Sequence, residues 1–119
     1  MPSKLTAYLT LDELYYLHQR LLERDGGSAG VRDPGLLEAA LARPRSGYYE
    51  TLAAQAAALF QSLVTGHAFV DGNKRVGFAA CATFLHMNGY RLKVTTTHAE
   101  TFLIKRVIGA HADVDTIAA

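Results

Sequence analysis

Apolar residues recur along most of the chain at intervals of three and four, the spacing of one face of an α-helix. Leu11, Leu14, Tyr15, His18, Leu21 and Leu22 form the first such stripe. Thr10 and Glu13 precede it as a capping box, in which a hydroxyl and a carboxylate each satisfy a backbone amide. Gly26-Gly27 ends it, because glycine takes the positive φ that closes helices. Asp33-Pro34 opens a second helix: a cap acceptor, then a proline where no amide partner is lost. That helix carries Leu36, Leu37, Ala40 and Leu41 and ends near Arg43-Pro44. Thr51 opens an alanine-rich helix through Val64, with Gly66 as its stop. A fourth is predicted from about Asn73 to Asn88, with Gly89 past its end. Thr97 and Glu100 form another capping box, ahead of Phe102, Leu103, Ile104, Val107 and Ile108. A short last helix begins at Asp113.

Strand patterning is thin. Tyr90 to Val94 alternates, but one short strand has no evident partner. Arg43 to Glu50 is a turn-rich connection with room for a small hairpin. No repeat, low-complexity tract or linker divides the chain. The prediction is one all-α domain over residues 1–119, a compact helical bundle of about six helices. Leu52 to Val64 and Val76 to Leu85 are apolar nearly all round, which places both in the middle of the bundle. The residues joining these two helices are therefore held by its most rigid part, where a precise site belongs.

Composition narrows the classes. A length of 119 residues suits a single core. Twelve Lys and Arg against eleven Asp and Glu leave a net charge of +1, so direct nucleic-acid binding is not expected. Cys81 is the single cysteine, which excludes an internal disulfide and fits a reducing cytoplasm. MPSKLTAYLT holds no apolar run of signal-peptide length, and Val76 to Leu85 is too short to span a bilayer. No membrane association is expected.

The joining segment is His67-Ala68-Phe69-Val70-Asp71-Gly72-Asn73-Lys74-Arg75. Gly72 opens backbone conformations closed to other residues and lets a ligand approach the main chain. The amides that start the next helix lack intrahelical partners and sit at the positive end of its dipole, so they suit an anion. Arg75 can grip phosphate oxygens through two parallel donors, and Lys74 adds a mobile point charge. Asp71 can hold a hard cation such as Mg²⁺, and His67 is a general base suited to neutral pH. Phe69 points into the core and fixes the loop. These parts together describe phosphate-group transfer from a nucleotide to a hydroxyl. The segment is neither a Walker A loop nor an HExxH zinc site.

HAFVDGNKR resembles the signature of the Fic/Doc family, HPFx(D/E)GN(G/K)R. YLTLDELYYLHQRLLERDGGSAGVRDPGLLEAALARPR and FLHMNGYRL are similar to the segments flanking it in the Doc, or death-on-curing, branch. The resemblance implies an all-α fold that transfers part of a nucleotide to a target hydroxyl. His67 would activate that hydroxyl and Asp71 would bind Mg²⁺. Gly72 and Asn73 would shape and contact the phosphate site, Arg75 would hold a terminal phosphate, and Phe69 would be the core anchor. Most members transfer AMP and have glycine at the position of Lys74. Doc proteins have lysine there and are kinases that use ATP to phosphorylate a threonine of elongation factor Tu. The resemblance thus implies a cytoplasmic toxin with ATP and Mg²⁺ as cofactors and elongation factor Tu as substrate. A separate antitoxin would restrain it. AMP transfer, and an inactive antitoxin-binding module, are the alternatives.

Some positions depart from the pattern. Ala68 replaces the usual proline and leaves the loop less stiff. Gly72 is the residue of the wider family, where some Doc proteins have alanine. Phe78 stands where AMP-transferring members carry a second arginine. Arg43 to Glu50 takes the place of the target-docking flap and is short; Tyr48 and Tyr49 are its candidate docking residues. Ser46 to Glu50 and Thr96 to Glu100 have the spacing of an inhibitory helix but lack its closing Gly or Asn.

Plainer roles exist for the same residues. His67 suits a helix C-cap, Asp71-Gly72 a turn, Asn73 an N-cap, and Lys74 with Arg75 a solvated surface. His18, His86, His98 and His111 read as surface or packing positions, and Cys81 as an inert core thiol.

Overall fold

The computed structural model describes residues 5–90 of the chain. Helix α1 spans Leu11–Asp25, α2 Pro34–Ala42, α3 Leu52–Gly66 and α4 Asn73–Met87, with a 3-10 turn at Arg43–Arg45. The capping box of α1 is formed on both sides, Glu13 N to Thr10 Oγ1 at 3.1 Å and Thr10 N to Glu13 Oε1 at 2.8 Å. Asp33 caps α2 through the Leu36 amide, and Thr51 caps α3 through the Ala54 amide. The four α-helices coincide with the first four predicted from periodicity. The helices expected after Thr97 and Asp113, and the alternating stretch from Arg91 to Val94, lie outside the described residues.

The count among the described residues is four α-helices, the other two of the predicted six falling outside them. One expectation changes. The Arg43–Glu50 connection makes no hairpin: it tightens into the 3-10 turn and continues through bends. Arg43 explains that shape. Its Nε donates to the Tyr49 hydroxyl at 2.7 Å, and its Nη1 donates to Gln61 Oε1 and Ser62 Oγ on α3, both at 3.0 Å. The flap is therefore pinned to α3 by a side chain, and its backbone is not needed for a ladder.

Helices α3 and α4 pack on each other more extensively than any other pair. Gly77 allows the approach, since a Cβ there would stand 2.7 Å from Val64 Cγ2. Phe60, Leu63, Val76, Ala80, Phe84 and Leu85 fill the interface and are almost fully buried. Cys81 lies in the same core, where burial pushes its thiol up to about 12. It is a packing residue with no thiolate chemistry near neutral pH. α1 and α2 cover this pair, so the α3–α4 junction emerges at one end of the bundle, between fixed walls.

α4 begins and ends with asparagines that each clasp a passing strand of backbone. Asn88 Oδ1 accepts the Ala7 amide at 2.8 Å while its Nδ2 donates to the Ala7 carbonyl at 2.9 Å. This holds the segment before α1 against the end of α4, where Tyr8 stacks on Phe84 at 5.8 Å. Asn73 makes the corresponding clasp at the other end.

Candidate phosphate-transfer site

α3 does not stop at its glycine. Gly66 remains inside the helix, and His67 takes the left-handed conformation at its C-cap, with φ 53 and ψ 42. It is the one non-glycine residue with positive φ among the described residues. Left-handed backbone costs an L-residue roughly 1–2 kcal/mol relative to glycine. Strain of this kind persists where surrounding structure over-determines the backbone. The surroundings here do so. The Ala68 carbonyl accepts from the amides of Arg32 and Asp33 at 2.6 and 3.0 Å, and the Val70 amide donates to the Gly30 carbonyl at 3.0 Å. Phe69 pairs with Val31 in an isolated antiparallel bridge. Its ring is buried and stacks face to face on His18, with centroids 3.8 Å apart. The bonds to residues 30–33 supply the stiffness that a proline at Ala68 would have given.

The next turn is fixed with equal completeness. Asn73 Oδ1 accepts the Phe69 amide at 3.0 Å and its Nδ2 donates to the Phe69 carbonyl at 2.9 Å. The Asp71 carboxylate accepts the amide of Gly72 at 2.9 Å and that of Ser28 at 3.1 Å. Those two backbone donors hold the Asp71 carboxyl below the usual carboxylate range, with Arg75 and His18 adding smaller effects of the same sign. Asp71 is thus ionised and aimed. His18 Nε2 lies 2.8 Å from the Asp71 carbonyl oxygen. Gly72 adopts φ 79, and Gly27, with φ 118, brings its backbone so close that a Cβ would stand 2.8 Å from Asp71 Oδ2.

Gly72 is also the N-cap of α4, and no side chain caps that end, in contrast to α1, α2 and α3. Among the described residues the first amides of α4 therefore lack a side-chain partner, an arrangement that suits an anion. Lys74 is exposed beside them. Arg75 Nη1 stands 3.8 Å from Asp25 Oδ2, a carboxylate that Arg24 Nη2 also approaches, at 2.8 Å. His67 is exposed, and its ring engages no hydrogen bond or ion pair among the described residues. One end of the bundle therefore presents an open imidazole, an ionised carboxylate, an uncapped helix start and two cations.

A magnesium ion fits this donor set in one way. Among the described residues no three His, Cys, Asp or Glu side chains converge as a cage. Mg²⁺ needs no such cage when one carboxylate and substrate phosphates share it. Asp71 uses one lone pair of each oxygen on an amide, which leaves others for a cation.

The structure brings His67, Phe69, Asp71, Gly72, Asn73, Lys74 and Arg75 into this one turn. Asn73 directs its side chain to the loop backbone. Tyr48 and Tyr49 lie on the separate flap; Tyr48 is 81% exposed, whereas Tyr49 is half-buried under Arg43. Sequence reasoning missed His18, Asp25, Gly27 and Ser28 as parts of the site. For His18 there was a signal, a histidine within the apolar stripe of α1. The other three reach the site only through the tertiary fold.

Residues 8–85 match the Fic/DOC family, and the chain belongs to that family, in its Doc branch. It is similar to toxin Doc of Mycolicibacterium smegmatis, with 48% identity over 101 residues, covering 79% of this chain and 77% of that protein. It is also similar to the protein kinase doc of Escherichia phage P1, with 34% identity over 89 residues, 71% of each chain.

Proposed function

We propose that this protein is a Doc-type toxin, a protein kinase that moves the γ-phosphoryl group of ATP to a Ser or Thr hydroxyl of an elongation factor Tu-like protein and so blocks translation. The observation that carries this reading is the α3–α4 turn. It joins His67, whose ring has no partner among the described residues, to a helix start that none of their side chains caps, flanked by Asp71, Lys74 and Arg75. The names of the two relatives, a toxin and a protein kinase, support it.

In this mechanism the target hydroxyl meets His67, which takes its proton as the oxygen attacks the γ-phosphorus. The bond from that phosphorus to the bridging oxygen breaks, and ADP leaves with the bond's electron pair. The first amides of α4 and the Arg75 fork hold phosphate oxygens. Lys74 adds positive charge beside the transferred group. Asp71, together with the nucleotide, would hold Mg²⁺, which would neutralise phosphate charge there. Asn73 and Phe69 act at one remove, by keeping the turn in shape. The cytoplasm is the compartment in which such a target is met, and a cognate antitoxin is the partner that restrains the activity.

The reading is tested by incubating the protein with ATP, Mg²⁺ and purified elongation factor Tu, then weighing the factor by mass spectrometry. A gain of one phosphate is expected with the wild type and none with His67→Ala, since loss of a general base costs roughly 10²–10⁴-fold. No modification by the wild type would overturn the reading.

A further inference from the structure

His18 is a buried titratable side chain to which the mechanism above gives no task. It is 6% exposed, on the face of α1 turned to the core. Its ring lies flat on Phe69, at 18° to that ring, and its Nε2 stands 2.8 Å from the Asp71 carbonyl oxygen. A Cβ on Gly72 would stand 3.6 Å from the same nitrogen, so the imidazole sits directly under the Asp71–Gly72 peptide.

A carbonyl oxygen only accepts, so Nε2 must carry the proton. That bond sets the orientation of one peptide plane. In a trans peptide the carbonyl and the next amide point in opposite directions. With the Asp71 carbonyl turned down onto His18, the Gly72 N–H faces the Asp71 carboxylate, which accepts it at 2.9 Å. Gly72 is free of the Cβ that would resist a flip of this plane. A flip would turn a carbonyl oxygen toward the carboxylate, and the Asp71 side chain would lose its place. Nothing else among the described residues is bonded to that carbonyl.

We propose that His18 is a positioning residue of the transfer site, whose Nε2–H fixes the Asp71–Gly72 peptide and thereby aims the Asp71 carboxylate and the first amides of α4. The proposal rests on the phosphotransfer reading above. It deepens that reading by assigning the histidine of α1 to the cation and phosphate side of the reaction, where His67 serves the hydroxyl side.

Two substitutions separate the donor from the ring. His18→Phe keeps an aromatic ring on Phe69 and removes the donor. His18→Gln removes the ring and keeps a donor of similar reach. Amide exchange is read by NMR on the full chain without nucleotide, with Ala80 in the middle of α4 as the internal control. His18→Phe is expected to speed exchange of the Gly72 and Ser28 amides about ten-fold while Ala80 is unchanged, and His18→Gln to return both toward wild type. In the transfer assay, His18→Phe should raise the Mg²⁺ concentration for half-maximal rate about ten-fold, more than it lowers the rate at saturating Mg²⁺, with recovery in His18→Gln. Nitrogen chemical shifts of the wild-type imidazole should show Nε2 protonated, a measurement that needs no variant to fold. The proposal is overturned if Nε2 carries no proton, if His18→Phe exchanges like wild type, or if the Gln and Phe variants behave alike. Exchange changes as expected, together with no transfer by the wild type, would support the anchoring by His18 and count against the phosphotransfer reading.

Discussion

Asn73 holds Phe69 by both of its backbone groups, the amide through Oδ1 at 3.0 Å and the carbonyl through Nδ2 at 2.9 Å. The clasp spans the turn that carries Asp71 and Gly72 and closes it from inside. Removing it leaves a partly buried donor and acceptor unpaired. Asn73→Ala should therefore destabilise the fold by about 1–3 kcal/mol in chemical denaturation. Asn73→Asp keeps the acceptor and should cost less than Asn73→Ala. If Asn73 only lined the phosphate site, stability would not change in either variant.

His67 stands in left-handed backbone at the end of α3, a conformation that suits glycine. His67→Gly should therefore be more stable than His67→Ala, by about 1 kcal/mol, in paired denaturation curves. Both variants should lack transfer. A transfer role for His67 would keep a histidine where glycine relieves strain, the usual opposition between site chemistry and stability. Equal stability of the two variants would show that the backbone relaxes at position 67.

The Asp71 carboxylate accepts the Ser28 and Gly72 amides, and its pKa is lowered in the folded state. A lowered folded-state pKa means that the unfolded chain takes up the proton first as pH falls. The stabilisation is complete above the ordinary carboxylate pKa of 3.8 and is lost as pH drops through the lower folded value. Asp71→Asn should therefore lose stability near neutral pH and show a shallower decline in acid than wild type. Thermal melts across the acid range check this, and parallel curves for the two proteins would contradict it.

The helices were legible because their ends carry their own chemistry. Thr10 with Glu13, Asp33 with Pro34, and Thr51 each announce a helix start, and each forms the cap that its sequence implies. The end of α3 was legible in part: His67 suits a C-cap and is one, but Gly66 is the obvious stop, and the left-handed position falls one residue later, on His67. The flap was misjudged for a similar reason. Glycine and serine near Tyr48 suggest a hairpin, while the shape is decided by Arg43 reaching across to α3. The nine residues of the candidate site were legible as a contiguous motif. Their supports were not, because Ser28, Gly27 and His18 meet Asp71 only after α1 and the following loop fold against the start of α4. A backbone amide such as that of Ser28 has no signature in a side-chain pattern.

In the proposed function the γ-phosphoryl group is the one that moves, and Lys74 is the residue expected to decide it. Lys74 is exposed beside the start of α4, which no side chain caps among the described residues, so its charge is expected to lie against a phosphate chain bound there. Lys74→Gly removes that charge and rebuilds the Gly-Asn-Gly-Arg form of the wider family beside a Gly72 already in place. The measurement is a pair of reactions on elongation factor Tu, one with ATP labelled on the α-phosphate and one with ATP labelled on the γ-phosphate. The wild type should transfer only the γ-label, and Lys74→Gly should lose that transfer and gain some of the α-label. Transfer of the α-label by the wild type would contradict the account and make the protein a nucleotide transferase.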